Sequence, residues 1–205
     1  MSISSERSTV AVASKAGRSR DAAASRESLL QAARELFGQR GFEGTTLRDI
    51  GERAGVDAAL IARYFGSKAE LYIAAVAADD PGGEPYPGGF DGLAQMVDTV
   101  VSRADGHGPG LILQAFVRGD VPDEIRVAAL QRVRRRLVDP LVTDMARRGV
   151  PSSELRAEVA VAALVGVRLA RSLGWFEEIR SVPKEELVTI VTEALCSLTD
   201  DPRHS

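Results

Sequence analysis

One cysteine and two histidines are all that this 205-residue chain has of the side chains that most often ligate metals or share nucleophile and general-base work. Cys196 by itself can neither close an internal disulfide nor complete a zinc site, which fits a reducing compartment. His107 and His204 lie far apart in the chain, and there is no Gly-rich phosphate loop, GxSxG, HExxH or CxxC. An enzyme would have to rely on carboxylates, and no pair of them is singled out. No catalytic residue, cofactor or metal is expected. Long apolar runs are scarce too: Val159–Val167, with Gly166 inside it, is nine residues, against about 20 needed to cross a bilayer. Residues 1–25 place small and polar residues where a signal peptide has its apolar core, so a cytoplasmic protein without a membrane partner is expected.

What is present is a globular composition, 44% hydrophobic and 27% charged. The net charge is −3, from 26 Lys and Arg against 29 Asp and Glu, which argues against a protein that coats nucleic acid without specificity. The first 80 residues are balanced, with 11 charges of each sign, so any DNA-binding surface there must be a local patch. No segment alternates with period two over a useful length. The helical period instead predicts an all-α protein of about nine helices, near 26–40, 47–54, 58–65, 68–78, 91–104, 110–118, 123–148 with a kink at Pro140, 153–174 and 184–198. Residues 1–25 lack an apolar stripe and carry Arg7, Lys15, Arg18 and Arg20; they read as a flexible basic arm, able to follow phosphates or to remain a solvated tail. Gly and Pro crowd residues 79–92, which reads as a linker. The domains expected are 26–78 and 93–205.

Residues 45–68, TTLRDIGERAGVDAALIARYFGSK, carry the strongest local signal. Thr46 followed by Asp49 forms a helix start, Gly55 suits the left-handed residue that ends the helix, and Asp57 can cap the next one. Two short helices across a glycine-containing turn make a helix-turn-helix, which points to a DNA reader. Helix 26–40 offers Leu29, Leu30, Ala33, Leu36 and Phe37 as a bracing face, and Ser67 with Glu70 forms a capping box for the fourth helix.

The last two helices are apolar beyond what a domain of this size buries. Between Val159 and Leu169 nearly every position is apolar or small, and Leu187, Ile190, Val191, Ala194, Leu195 and Leu198 make a stripe on the final helix. A four-helix bundle with the same two helices of a second copy covers both, so a homodimer is expected.

The pieces LLQAARELFGQRGFEGTTLRDIGERAGV and YFGSKAEL resemble the DNA-binding domain of the TetR family of bacterial transcriptional repressors. The resemblance spans residues 29–71, with the rest alike only in layout. It implies a two-fold dimer that binds double-stranded DNA at a palindromic operator and leaves it when a small-molecule effector enters the C-terminal domain. By position it implies DNA contacts from Thr46, Arg48, Ala58, Ala59, Arg63, Tyr64 and Lys68, with Arg48 able to span guanine O6 and N7. Three positions depart from the common pattern: Asp57 replaces Ser, Leu60 replaces Thr and Ala62 replaces Tyr. Asp57 repels phosphate unless it is used as a cap, so a helical dimer that binds a protein or small molecule without specific DNA binding is the alternative reading.

In the second domain Met96, Phe116 and Trp175 are the candidates to line a ligand cavity, although residues of this kind also fill plain cores. Arg168 and Arg171 interrupt an apolar helix. Arg168 suits an acidic ligand's carboxylate or an interface salt bridge to Glu177 or Glu178. The cluster Arg132, Arg134, Arg135 and Arg136 is expected on a solvated face, opposite a buried stripe of Leu130, Val133, Leu137 and Leu141. Cys196 is read as an inert core residue, and His107 as a loop residue.

Overall fold

The structure is a computed structural model that describes residues 5–79, 89–103, 110–119 and 121–199. Every regular element in them is helical: α1 (Ser5–Arg40), α2 (Leu47–Ala54), α3 (Ala59–Phe65), α4 (Lys68–Asp79), α5 (Gly89–Ser102), α6 (Gly110–Val117), α7 (Asp123–Val133), a π-helical turn (Arg134–Val138), α8 (Asp139–Arg147), α9 (Ser153–Leu173), α10 (Glu177–Ser181) and α11 (Lys184–Thr199). The chain divides into two compact units, Met1–Asp79 and Asp80–Ser205. His107, His204 and most of the expected linker lie outside the described residues.

In the first unit, α1 begins at Ser5, well before the start expected at Ser25. An apolar stripe is absent there, but Ala11, Ala13, Ala16 and Ala22–Ala24 are strong helix formers and no Gly or Pro except Gly17 interrupts them. The stretch read as a flexible basic arm is helical from Ser5 onward. Downstream, Leu29, Ala33 and Phe37 are fully buried, as are Ile50 of α2, Ile61 of α3 and Leu71 of α4, the three helices that α1 contacts. Phe37, Phe42 and Tyr72 form an aromatic trio with ring centroids 4.9 to 6.0 Å apart, which ties the end of α1 to α4. Tyr72 is among the most buried side chains, although the periodicity of α4 favours its neighbour Leu71.

In the second unit the core joins α5, α8, α9 and α11 through Met96, Val97, Val101, Met145, Ala157, Leu164, Leu187 and Val191. Pro140 leaves the carbonyl of Arg136 without its helical donor. The chain meets this by widening one turn: the N–H of Asp139 reaches back to the carbonyl of Arg134, so a π turn stands where a bend is expected. The buried stripe of α7 runs through Ile125 and Ala129, toward Val133 and Leu137, and Leu130 is exposed rather than inside it. Small Ala129 takes the inward place that the larger Leu130 was expected to fill. Helix α10 is absent from the sequence reading because it is a single turn with no fully buried residue. Arg171 explains its position, donating from Nη1 to the carbonyls of Ile179 (2.8 Å) and Val182 (3.1 Å).

Candidate nucleic-acid interface

Helix α2 begins with a complete reciprocal cap. The Thr46 hydroxyl accepts from the Asp49 N–H at 3.1 Å, and the Asp49 carboxylate accepts from the Thr46 N–H at 3.0 Å and from its hydroxyl at 2.7 Å. These bonds, the side-chain one first, hold the Asp49 carboxyl below the usual carboxylate range. A lowered pKa in the folded state means that the support Asp49 gives α2 is complete above the ordinary carboxylate range and is lost as pH falls through it. Asp49→Asn is therefore expected to lower the urea midpoint at pH 7, with the gap to the wild type kept down to about pH 4 and closing only below it. A gap independent of pH would show that the charge of Asp49 does not serve the cap.

The residue before this cap sets its position. Thr45 is fully buried, and its hydroxyl lies 3.1 Å from the carbonyl oxygen of Leu36 and 2.9 Å from that of Gly41, pinning the start of α2 to the end of α1. On the other side, Arg53 of α2 donates to the Glu35 carboxylate of α1 at 2.6 Å.

The turn itself depends on two glycines for different reasons. Gly55 has φ 64°, and its N–H bonds back to the carbonyls of Gly51 and Glu52, ending α2. Gly51 is an ordinary helical residue in conformation, but a Cβ placed there would lie 2.9 Å from both the Ala58 Cβ and the Val56 carbonyl oxygen. The bare backbone of α2 at Gly51 is what lets α3 approach so closely. A glycine in the middle of an eight-residue helix, where it costs about 1 kcal/mol against alanine, is the sequence signal that would have found this residue.

Helix α3 starts on Asp57, whose carboxylate accepts from the Ala59 N–H at 2.9 Å. The acid that departs from the usual Ser is engaged as a cap. Ile61 and Phe65 point into the core, whereas Ala59, Ala62 and Arg63 are exposed and Ala58, Leu60 and Tyr64 are half-buried. Arg26 of α1 lies over the Phe65 ring, 4.9 Å from its centroid, and braces the far end of α3. Arg48 stands at the start of α2 with its side chain 86% exposed, ion-paired at 2.8 Å to Glu52 one turn on. The hydrogen bond that Arg48 Nε donates to the Glu52 carboxylate raises the Arg48 pKa above its already high value. Lys68, the first residue of α4, is half-buried with Nζ 4.3 Å from the Phe42 ring centroid. Beside it the Ser67 hydroxyl accepts from the Glu70 N–H at 3.1 Å, one half of the expected capping box.

The seven residues expected to touch DNA thus all belong to the start of α2, to α3 and its capping turn, or to the start of α4. Their chemistry is uneven. Ala58 and Ala59 offer only methyl groups and close backbone approach, the Thr46 hydroxyl is occupied by its own cap, and Arg63 is the one long polar side chain on the outer face of α3.

Family models match both units. One described as "Bacterial regulatory proteins, tetR family" covers residues 29–75, and one described as "Tetracyclin repressor-like, C-terminal domain" covers residues 92–198, more than half of the chain. This chain belongs to the TetR family. The HTH-type transcriptional regulator RutR of Escherichia coli is 47% identical over 57 residues, and the match takes in 28% of this chain and 27% of RutR, so the chain spans only about a quarter of that relative's length. The HTH-type transcriptional activator FasR of Mycolicibacterium smegmatis is 25% identical over 179 residues, covering 80% of this chain and 77% of FasR. Among solved structures, a TetR-family regulator from Streptomyces coelicolor shares the fold at a TM-score of 0.65 with 22% identity, covering 85% of this chain and 79% of that one. These relatives bear the names of HTH-type transcriptional regulators.

The residues expected around a ligand separate in the second unit of this TetR-family chain. Met96 is 1% exposed in the core and Phe116 is half-buried on α6, while Trp175 is 57% exposed after α9. Arg168 is buried and lines a cavity of about 40 Å³ between α5, α6, the π turn and α9. Glu177, offered as its salt-bridge partner, is held at 2.6 Å by Arg180. The arginine cluster also divides. Arg134 reaches Glu154 and Glu158 on α9, and Arg135 is exposed, but Arg132 and Arg136 line the same cavity instead of forming a solvated face. Cys196 is half-buried beside the core of the second unit.

Proposed function

We propose that the protein is a ligand-responsive repressor that binds a palindromic operator in cytoplasmic DNA as a homodimer and is released by a small-molecule effector. The observation that carries the DNA half is the outer face of α3: Ala59, Ala62 and Arg63 face solvent on a helix capped by Asp57 and seated on Gly51. A slim alanine face lets the helix backbone sink into a major groove, with Arg63 and Arg48 reading base edges and Tyr64 and Lys68 meeting phosphates. The Arg48–Glu52 pair is exposed, so an incoming guanine or phosphate exchanges for Glu52 at little cost.

Support for the dimer comes from apolar side chains left outside the second unit's core. Leu155, Val159 and Leu173 on α9 and Ile190 on α11 are each 45% exposed or more. The exposed small residues Ala162, Ala163 and Ala194 accompany them on the same two helices. Two-fold pairing of this surface would set recognition helices about 34–36 Å apart, or a multiple of that, which matches a palindrome. The relatives' names divide between activator for FasR and repressor for AcnR of Corynebacterium glutamicum. Repression is the sense taken here.

An electrophoretic shift with the DNA upstream of the protein's own reading frame tests this function. Binding is expected to be specific and to weaken steeply with salt, and Arg48→Ala with Lys68→Ala is expected to reduce it by about 10²-fold or more. Binding indifferent to both changes would refute the assigned interface. A promoter fusion is expected to fall silent when the protein is expressed; a rise would reverse the sense of control.

A further inference from the structure

The outer face of α3 is poor in hydrogen-bonding groups. Ile61 and Phe65 are buried, and the residues of the helix left at least partly outside are Ala59, Leu60, Ala62, Arg63 and Tyr64. Most of these are aliphatic. At 3.6 residues per turn, Ala59, Leu60 and Arg63 fall on the side opposite Ile61 and Phe65, with Ala62 and Tyr64 on either flank. Tyr64 is the residue given to phosphate above, which leaves Arg63 as the hydrogen-bonding reader. Asp57, just ahead of the helix, is a further acceptor by type, but its carboxylate already accepts from the Ala59 N–H at 2.9 Å.

A major groove is read in two chemical ways. Hydrogen bonds distinguish guanine, adenine and cytosine by their donors and acceptors, whereas an aliphatic side chain makes a favourable contact only with the 5-methyl group of thymine. A cytosine amino group or a purine edge placed under an alanine methyl loses its water and gains no partner, so it is disfavoured there. Leu60 adds to this preference. It is an apolar side chain left partly in water between two exposed positions of the helix surface, Ala59 and Ala62, and contact with a methyl group in the groove removes that exposure. Arg63 suits guanine instead, with two donors for O6 and N7. We propose that α3 selects its half-site by thymine 5-methyl groups, read by Ala59, Leu60 and Ala62, and that hydrogen-bonded base readout from this helix is confined to Arg63. This rests on the reading of the α2–α3 surface as operator-binding, and it names the feature of the operator that the surface recognises.

The test uses the full chain and a duplex that it enriches from a random pool. Each thymine of the protected region is replaced in turn by deoxyuridine, which pairs identically and lacks only the methyl group. Loss of one contacted methyl is expected to weaken binding about 4-fold, at one thymine or more, and replacement outside the protected region is expected to leave affinity unchanged. Ala59→Gly, Leu60→Ala and Ala62→Gly are each expected to erase the penalty at a thymine of its own while the other penalties stay. A merely structural loss of affinity would lower binding to both duplexes alike and show no such coupling. Should the variants fail to fold by circular dichroism, the deoxyuridine series on the unchanged protein decides. Specific binding in which no replacement costs more than about 2-fold, or penalties that persist in full in all three variants, would overturn the proposal. The two readings fail differently. Enrichment of no duplex refutes the operator reading and this proposal with it, whereas specific binding indifferent to deoxyuridine refutes only the thymine readout.

Discussion

Gly51→Val is expected to abolish operator binding while leaving most of the helix content in place. The substituted Cβ would sit 2.9 Å from a backbone oxygen, Val56 O, and 2.9 Å from the Ala58 Cβ at the head of α3. Neither neighbour is the far end of a flexible chain that can swing away, so α3 itself must move. Overpacking of this kind costs about 1–3 kcal/mol of stability, a loss measurable as a drop in urea midpoint. The functional loss is larger, because a shift of about 1 Å in the recognition helix misplaces every groove contact at once. Gly55→Ala is the control: nothing lies within 4 Å of its Cβ, and only the positive φ of 64° is strained, at about 1–2 kcal/mol. It should weaken the fold yet leave affinity, measured well below the unfolding temperature, within a few-fold of wild type. If Gly51→Val binds its operator as tightly as Gly55→Ala does, close α2–α3 contact is not what positions the reader.

The second large effect is expected from Leu155→Glu combined with Ile190→Glu. Both side chains are more than half exposed in the single chain, at 63% and 54%, so neither change disturbs the core of the protomer. In the proposed dimer these carboxylates would face their own symmetry mates, where like charges repel and desolvation is unfavourable. Equilibrium sedimentation should show dimers for the wild type at micromolar concentration and single chains for the double variant. Once the two half-site readers are no longer linked, operator affinity should fall by about 10²–10⁴-fold. A wild type that sediments as a monomer, or a double variant that remains dimeric, would remove α9 and α11 from the interface.

The two units were not equally open to reading from the chain. In the first, capping and turn chemistry are local: Thr46 with Asp49, Gly55 and Asp57 each act within three residues of themselves, and all three were predicted and are found in the bonds expected of them. The buried faces of α1 and α3 followed from period alone, through Leu29, Ala33, Phe37, Ile61 and Phe65. Gly51 escaped because its role is a distance between two helices, and Tyr72 because a polar-tipped aromatic is ambiguous until the trio around Phe37 is assembled. The helical extension of α1 over Ser5–Ser25 shows the opposite failing: a missing apolar stripe says that a segment lacks a buried face, and says nothing against its being helical.

In the second unit, periodicity located the long helices and the over-apolar character of α9, but misjudged what each face meets. Leu130 was assigned to a stripe that one widened turn and a small Ala129 place elsewhere, and the same turn sends Arg132 and Arg136 toward Arg168 while Arg134 goes to α9. What the sequence by itself determined is everything carried by near neighbours: the all-helical architecture, the caps and turn of the reader, the residue types on α3 and the membership that those residues signal. Only the tertiary structure decided that Gly51 is the seat of α3, that Trp175 stands outside while Met96 is inside, and that four arginines from distant segments line one cavity. The physical reason is common to all three. Local hydrogen bonding is fixed by chain neighbours within a turn, whereas packing distances and converging charges depend on how helices cross, which no single periodicity encodes.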